Sequence, residues 1–261
     1  MSKRMSRRDP VEGEIELALS PEAYIRDRAC FSFVSSLEGV AEQIDRLQKA
    51  DPARAAGLYE SFLAGCKEKA EELDDSSGSF GQFARDLICR WIKATQTSGA
   101  GPDDTAKTLL GWMDNDPYAF CYQIEKDVAK ALNKAGLAAF ARLIRARFEA
   151  IPSAERYDRG RWGDVLRAIY FAQRNPSAYE ALAEQIGLEP RDCLALATIS
   201  VARKRPADSG PRSRGYSRRP HRHGLTARIP SRLLSIRGIG LSDYAVPSVE
   251  PLRAPLNATS G

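Results

Sequence analysis

A proline set directly behind a polar residue, just ahead of an apolar stripe, recurs along this chain and restricts what it can fold into. Asp51-Pro52, Asp116-Pro117, Asn175-Pro176 and Glu189-Pro190 have this form; Ser20-Pro21 shares it, and Pro102 follows a glycine. A polar side chain before the first helical turn can accept a bond from one of the turn's unpaired amides. Proline, with its fixed φ and no N–H, suits the first helical position. Behind these signals the apolar residues return at spacings of three and four, as in Phe33, Leu37, Val40, Ala41, Ile44 and Leu47. That spacing builds one greasy helical face, and Glu38, Glu42, Asp45 and Lys49 fall on the other.

Taken in order, the pattern predicts about nine helices between residues 21 and 205 and no segment of alternating strand character. Helices joined by short connections pack as antiparallel neighbours. The expected fold is therefore all-α, with antiparallel helical pairs forming an α-solenoid-like array or an irregular helical bundle, and with no strict repeat period. Residues 1–20 carry little periodicity and are expected to form a mobile arm.

The most sharply defined unit runs from Tyr59 to Trp91, YESFLAGCKEKAEELDDSSGSFGQFARDLICRW. It reads as two amphipathic helices around a turn made of Asp74, Asp75, Ser76, Ser77 and Gly78. Lys67, Glu68, Lys69, Glu71 and Glu72 read as a solvated charged face. The turn could handle an anion or a metal ion, but it lacks the alternating oxygen ligands and distal glutamate of a calcium loop. Capping is preferred: Asp75, Ser76 or Ser77 would accept amide bonds from the next helix while Gly78 takes a special backbone angle.

From Pro206 the character changes. Arginine, serine, proline and glycine make up 30 of the last 56 residues, and helical periodicity is lost. Such a composition cannot bury enough surface to offset chain entropy, so residues 206–261 are expected to be disordered. Nine of the 39 basic residues and three of the 34 acids lie there, giving this segment +6 and the remainder −1. The basic balance thus belongs to the tail, where arginines could neutralise nucleic-acid phosphates. His221 and His223 also lie there, and residues 1–205 contain no histidine, which leaves no imidazole for acid–base or triad chemistry in the helical body.

Other candidates read mainly as structure. Cys30, Cys66, Cys89, Cys121 and Cys193 show no metal-knuckle spacing and are expected to be buried free thiols. Trp91, Trp112 and Trp162, with Phe80, Phe83 and Phe120, stand at helical spacing beside leucines and are expected in the core. Tyr118 and Tyr122 are possible groove aromatics. No phosphate loop, dinucleotide fingerprint or catalytic constellation is visible, so no cofactor and no enzymatic activity are expected. No apolar run is long enough to span a bilayer, and MSKRMSRRDPVEGEIELALSPE has no uninterrupted apolar core of a signal peptide. The cytoplasm is the expected compartment.

The stretch from about Ala29 to Arg205 resembles an uncharacterised bacterial family of α-helical repeats. The likeness rests on DPARAAGLYESFLAGCKEKAEELDDSSGSFGQFARDL, WIKATQTSGAGPDDTAKTLLGWMDNDPYAFCYQIEKD, LNKAGLAAFARLIRARFEA and RWGDVLRAIYFAQRN. The DDSSG turn and following helix are also similar to the helical region that accompanies SWIM-type zinc fingers. The finger itself, with its CxC and CxH pairs, is absent. The resemblance implies a helical-repeat fold and no specific activity. It also implies further helical pairs after LALATISVARKRPAD, where this chain turns to Ser209-Gly-Pro-Arg-Ser-Arg-Gly-Tyr216. Residues from about Ser209 are therefore expected to be an out-of-frame translation that ends early. The last helix would then lack its next neighbour, leaving Leu194, Ala197 and Val201 bare and open to self-association. Three functional expectations follow: a non-catalytic scaffold for a protein or peptide partner, a nucleic-acid-associated protein acting through its tail, and a truncated product without function.

Overall fold

A computed structural model describes residues 10–20 and 24–204 of the chain. The remainder of the N-terminal arm, the segment 206–261 and both histidines lie outside the described residues. The described part is all-α, an irregular array of ten helices: α1 (Pro10–Leu19), α2 (Asp27–Gln48), α3 (Pro52–Lys69), α4 (Ser79–Ser98), α5 (Pro102–Asp114), α6 (Glu125–Ala131), α7 (Lys134–Ala150), α8 (Arg156–Ala172), α9 (Pro176–Ile186) and α10 (Pro190–Lys204). No helix among the described residues is long and apolar enough to cross a membrane.

The punctuation acts largely through side-chain caps. Asp51 accepts the Arg54 amide at 3.0 Å and Asn175 the Ala178 amide at 3.2 Å, with Pro52 and Pro176 opening α3 and α9. Gly99 closes α4 in the left-handed conformation. The pair α3–α4 has the most extensive packing in the fold, and α2 lies across both. Their shared core is aromatic: Phe62 meets Phe83 edge-on at 5.4 Å, and at its edge Trp91 comes within 4.4 Å of the half-buried Trp112 of α5. Each large side chain buried there contributes about 1.5–3 kcal/mol.

Several expectations are corrected by the structure. Pro10–Leu19 is a helix rather than part of an unstructured arm. Its Ile15 is 3 % exposed, and Leu19 lies so close to α3 that a Cβ on Gly65 would meet its Cδ1 at 2.5 Å. Ser20 accordingly follows the end of α1, its hydroxyl donating to the Glu16 carbonyl, and α2 starts only at Asp27. Lys69 is buried instead of solvated, because α1 packs over that side of α3; its ammonium is 2.6 Å from Glu72.

Asp116-Pro117 opens no helix. The Asp116 carboxylate accepts the amides of Phe120 and Cys121 at 2.9 and 2.6 Å, and Ala119 and Gln123 take left-handed φ values of 57° and 55°. Residues 117–124 are therefore a chain of turns, and helix resumes at Glu125. Gly136 lies in the first turn of α7, where Asn133 Oδ1 accepts its amide at 2.8 Å.

Sequential pairing also fails at this point. α5 packs on α7, while the short α6 packs on α4 and α8. The chain returns to order with α7–α8, α8–α9 and α9–α10. This crossover sets α6 against α8 and opens a groove beside them.

Candidate functional site

The Asp74–Gly78 turn is occupied with its own backbone. Asp75 Oδ1 accepts the Phe80 amide at 2.9 Å and Oδ2 the Gly81 amide at 2.7 Å, while Gly78 has φ +70°. Asp74 Oδ1 accepts the Ser76 amide at 3.1 Å, and the Ser77 and Ser79 hydroxyls are 2.9 Å apart. The Cys30 thiol, 3.8 Å from Asp75 and 3.5 Å from Ser79, is raised above its ordinary pKa by burial and by the adjacent carboxylate. With both carboxylate oxygens of Asp75 committed to amides, the turn's chemistry is that of a helix start.

Tyr118 donates to Glu71 at 2.6 Å and lies 6.0 Å from the Phe120 ring; Tyr122 is exposed and bonded to Gln123. The structure does not bring them together with the turn, and neither is among the residues lining the groove below.

That groove, of about 840 Å³, runs between α6, the C-terminal half of α8 and the start of α10. Its apolar surface comes from Ala129, Ala168, Phe171, Ala172 and Ala195, with Phe171 left 42 % exposed. Charged side chains rim it. Lys130 pairs with Asp127 at 3.2 Å, and Arg191 with Asp164 at 2.9 Å. Lys126, Arg174 and Glu125 have no ion-pair partner among the described residues. Gln123 and Arg174, two of three non-glycine residues with left-handed φ among the described ones, stand on the rim. Such conformations cost on the order of 1–2 kcal/mol each and persist only where surrounding structure holds them.

At the base of the groove lies a polar cluster that the sequence reading missed. Asp192 is 0 % exposed. Its Oδ2 accepts from Arg167 at 2.8 Å and from the Glu189 amide at 2.9 Å, and its Oδ1 accepts from the Tyr179 hydroxyl at 2.9 Å. The bond to Glu189 is the reciprocal half of a capping box, made by the third helical residue reaching back to the residue before Pro190. Burial works to raise the Asp192 carboxyl. The Glu189 amide, Arg167 and Tyr179 together outweigh it and hold the group below the ordinary carboxylate range. Burial, then the bond to Asp192, pushes the Tyr179 phenol up to about 12. Arg167 also bonds Asp164 at 3.1 Å and the Gly187 carbonyl at 3.2 Å, yet its buried Nε has no partner.

This cluster clips α10 to α8 and α9. Only a small apolar set, Tyr179 with Leu196 and Ile199, backs it up. The opposite face of α10 is bare: Leu194 is 72 % and Val201 52 % exposed, Ala197 is exposed too, and a second concavity of about 650 Å³ lies along Ala197, Val201 and Ala202. Arg174 lines both concavities. Cys193 is exposed on this helix, against the expectation of burial, because no described element packs on its outer side; Cys89 is half-buried, and Cys30, Cys66 and Cys121 are buried.

Among the described residues no group of three or more His, Cys, Asp or Glu side chains is arranged to hold a metal ion. Among the described residues the arrangement offers an apolar shelf, unpaired charges at its edge and a partly bare helix. Comparison with protein-family models, with characterised proteins and with solved structures finds no match to the chain.

Proposed function

We propose that this chain is a non-catalytic, cytoplasmic helical-repeat scaffold that holds a peptide segment of a partner protein across the α6–α8–α10 groove and the outer face of α10. One observation carries the reading: the concavity with Phe171, Ala168 and Ala195 and the one with Val201 and Ala197 share Arg174, and Phe171, Leu194 and Val201 are exposed among the described residues. Large apolar side chains left exposed beside charged groups are characteristic of interaction surfaces. The likeness of the Tyr59–Trp91 hairpin to bacterial helical repeats supports the reading by analogy alone.

Selection of a displayed random-peptide library against the full chain tests it. Enriched peptides should lose binding at least about tenfold to Phe171→Asp or Val201→Asp, while Tyr122→Ala, exposed elsewhere, should leave it unchanged. Enriched peptides indifferent to both aspartates, or no enrichment, would refute the groove as the docking site. A chain found dimeric by light scattering, and made monomeric by Val201→Asp, would put a second copy on this face in place of a partner peptide.

A further inference from the structure

We infer that the segment held here is acidic as well as apolar, with a carboxylate meeting Arg174 between aliphatic side chains that occupy the two concavities. The inference rests on the scaffold reading and names the chemistry of its occupant. Arg174 is the residue the two concavities share, so any chain passing from the Phe171 shelf to the Val201 face crosses its guanidinium. Its backbone is fixed by the end of α8: φ is +51° and its amide bonds the Phe171 carbonyl at 3.0 Å. The base of this side chain is thus anchored while its charge has no partner among the described residues.

Around the groove Arg167 and Arg191 lie within ion-pair distance of a carboxylate, whereas Arg174 does not. The acids facing the groove are largely committed as well. Asp127 is held by Lys130, Asp164 and Glu189 by Arg167 and Arg191, and Asp192 by Arg167. Glu125 stays unpaired against two unpaired cations, Arg174 and Lys126, so the uncommitted charge of the rim is positive. At the base Arg167 keeps a buried donor, Nε, without an acceptor. A carboxylate is the group that complements this set. Arginine, with its planar fork of donors, is suited to binding it bidentately.

The test uses the full chain and four labelled peptides of about 18 residues, long enough to be partly helical alone, read by fluorescence anisotropy. They share one backbone: leucine stripe with glutamate, leucine stripe with glutamine, leucine stripe with lysine, and a serine stripe with glutamate. The leucine–glutamate peptide should bind about five- to tenfold more tightly than the glutamine version, and its advantage should shrink as salt is raised. Arg174→Glu, at an exposed and unpaired position, should reverse the order of the glutamate and lysine peptides. Equal binding of the three leucine peptides, or no response to Arg174→Glu, would overturn the inference and leave the scaffold standing. Failure of every leucine peptide to bind would count against the scaffold reading itself. Equal binding of the serine–glutamate peptide would show a general polyanion patch, nucleic acid included, and would also overturn the inference.

Discussion

Asp192→Asn is the sharpest probe of how α10 is held. The change keeps the volume of the side chain and removes its charge. Three donors converge on this carboxylate: Tyr179 on one oxygen, Arg167 and the Glu189 amide on the other. An amide offers a single acceptor oxygen, so in either orientation its NH₂ faces at least one of these donors. Removing one partner of a buried pair costs about 3–5 kcal/mol when the other charge is stranded. Here Arg167 keeps Asp164 and the Gly187 carbonyl, which lowers the expected loss to about 2–3 kcal/mol. Against this, the side chains that α10 buries in its own apolar cluster are Leu196 and Ile199, worth about 3–6 kcal/mol before chain entropy is counted. The loss is therefore comparable to the whole apolar attachment. It should raise the undocked population of α10 about 30- to 150-fold. Hydrogen exchange read by mass spectrometry should show that drop in protection over residues 190–199, with α3 and α4 unchanged. Unaltered protection in α10 would refute the clip. An equal drop through α3 and α4 would refute the idea that α10 opens as a separate unit.

Three further outcomes follow from the same geometry. The bond from Tyr179 to Asp192 requires the protonated phenol, whose folded pKa near 12 lies above the ordinary value of about 10. Its stabilisation is full below about pH 10 and disappears as pH rises toward 12, so by circular dichroism Tyr179→Phe should be less stable than the parent at neutral pH and indistinguishable from it by about pH 12. Asp75→Ala strands the amides of Phe80 and Gly81 and should lower stability by about 1–2 kcal/mol in urea unfolding, whereas Ser77→Ala should change it little. A thiol reagent should modify exposed Cys193 at once and Cys89 slowly, and should reach Cys66 and Cys121 only on unfolding; burial raises both thiols, Cys121 to about 12.

Legibility in the sequence tracked how local each cause was. The stripe Phe33, Leu37, Val40, Ala41, Ile44 announces α2 because helical spacing and burial are the same statement on one face. α1 carries a weaker version of that signal, Val11, Ile15 and Leu19 at intervals of four, diluted by Glu12, Glu14 and Glu16. At residues 117–124 the hydrophobic spacing continues through Phe120, Ile124 and Val128 although the backbone is not helical. What breaks it there is the grip of Asp116 on two amides and the left-handed angles of Ala119 and Gln123, and neither residue type announces such angles. The groove was illegible for a different reason. Its walls, α6 and α8, meet only because α5 passes over to α7, and no local pattern encodes that skip. The Arg167–Asp192 pair, 25 residues apart, left a faint trace: an arginine inside the apolar run Trp162, Val165, Leu166, Ile169, and an aspartate three residues after Glu189. A charged residue inside a buried stripe implies a partner without saying where it lies.

The way α10 is attached also bears on what the groove can do. Fifteen residues of helix are joined to α9 by one small apolar cluster and to α8 by a buried ion pair, while Leu194, Ala197 and Val201 face away from both. A helix with apolar residues on two sides is most stable with neighbours on both, and among the described residues α10 has neighbours on one side only. Anything that binds the outer face together with the Phe171 shelf contacts α10 only in its docked position, so its binding energy adds to the clip by mass action: occupancy at one hundred times the dissociation constant contributes about 2.7 kcal/mol. That is close to the amount that Asp192→Asn removes. A peptide that occupies the groove should therefore restore protection to α10 in the Asp192→Asn chain. A peptide that binds tightly elsewhere on the helical array has no differential affinity for docked α10 and should leave its exchange untouched, whatever its own dissociation constant.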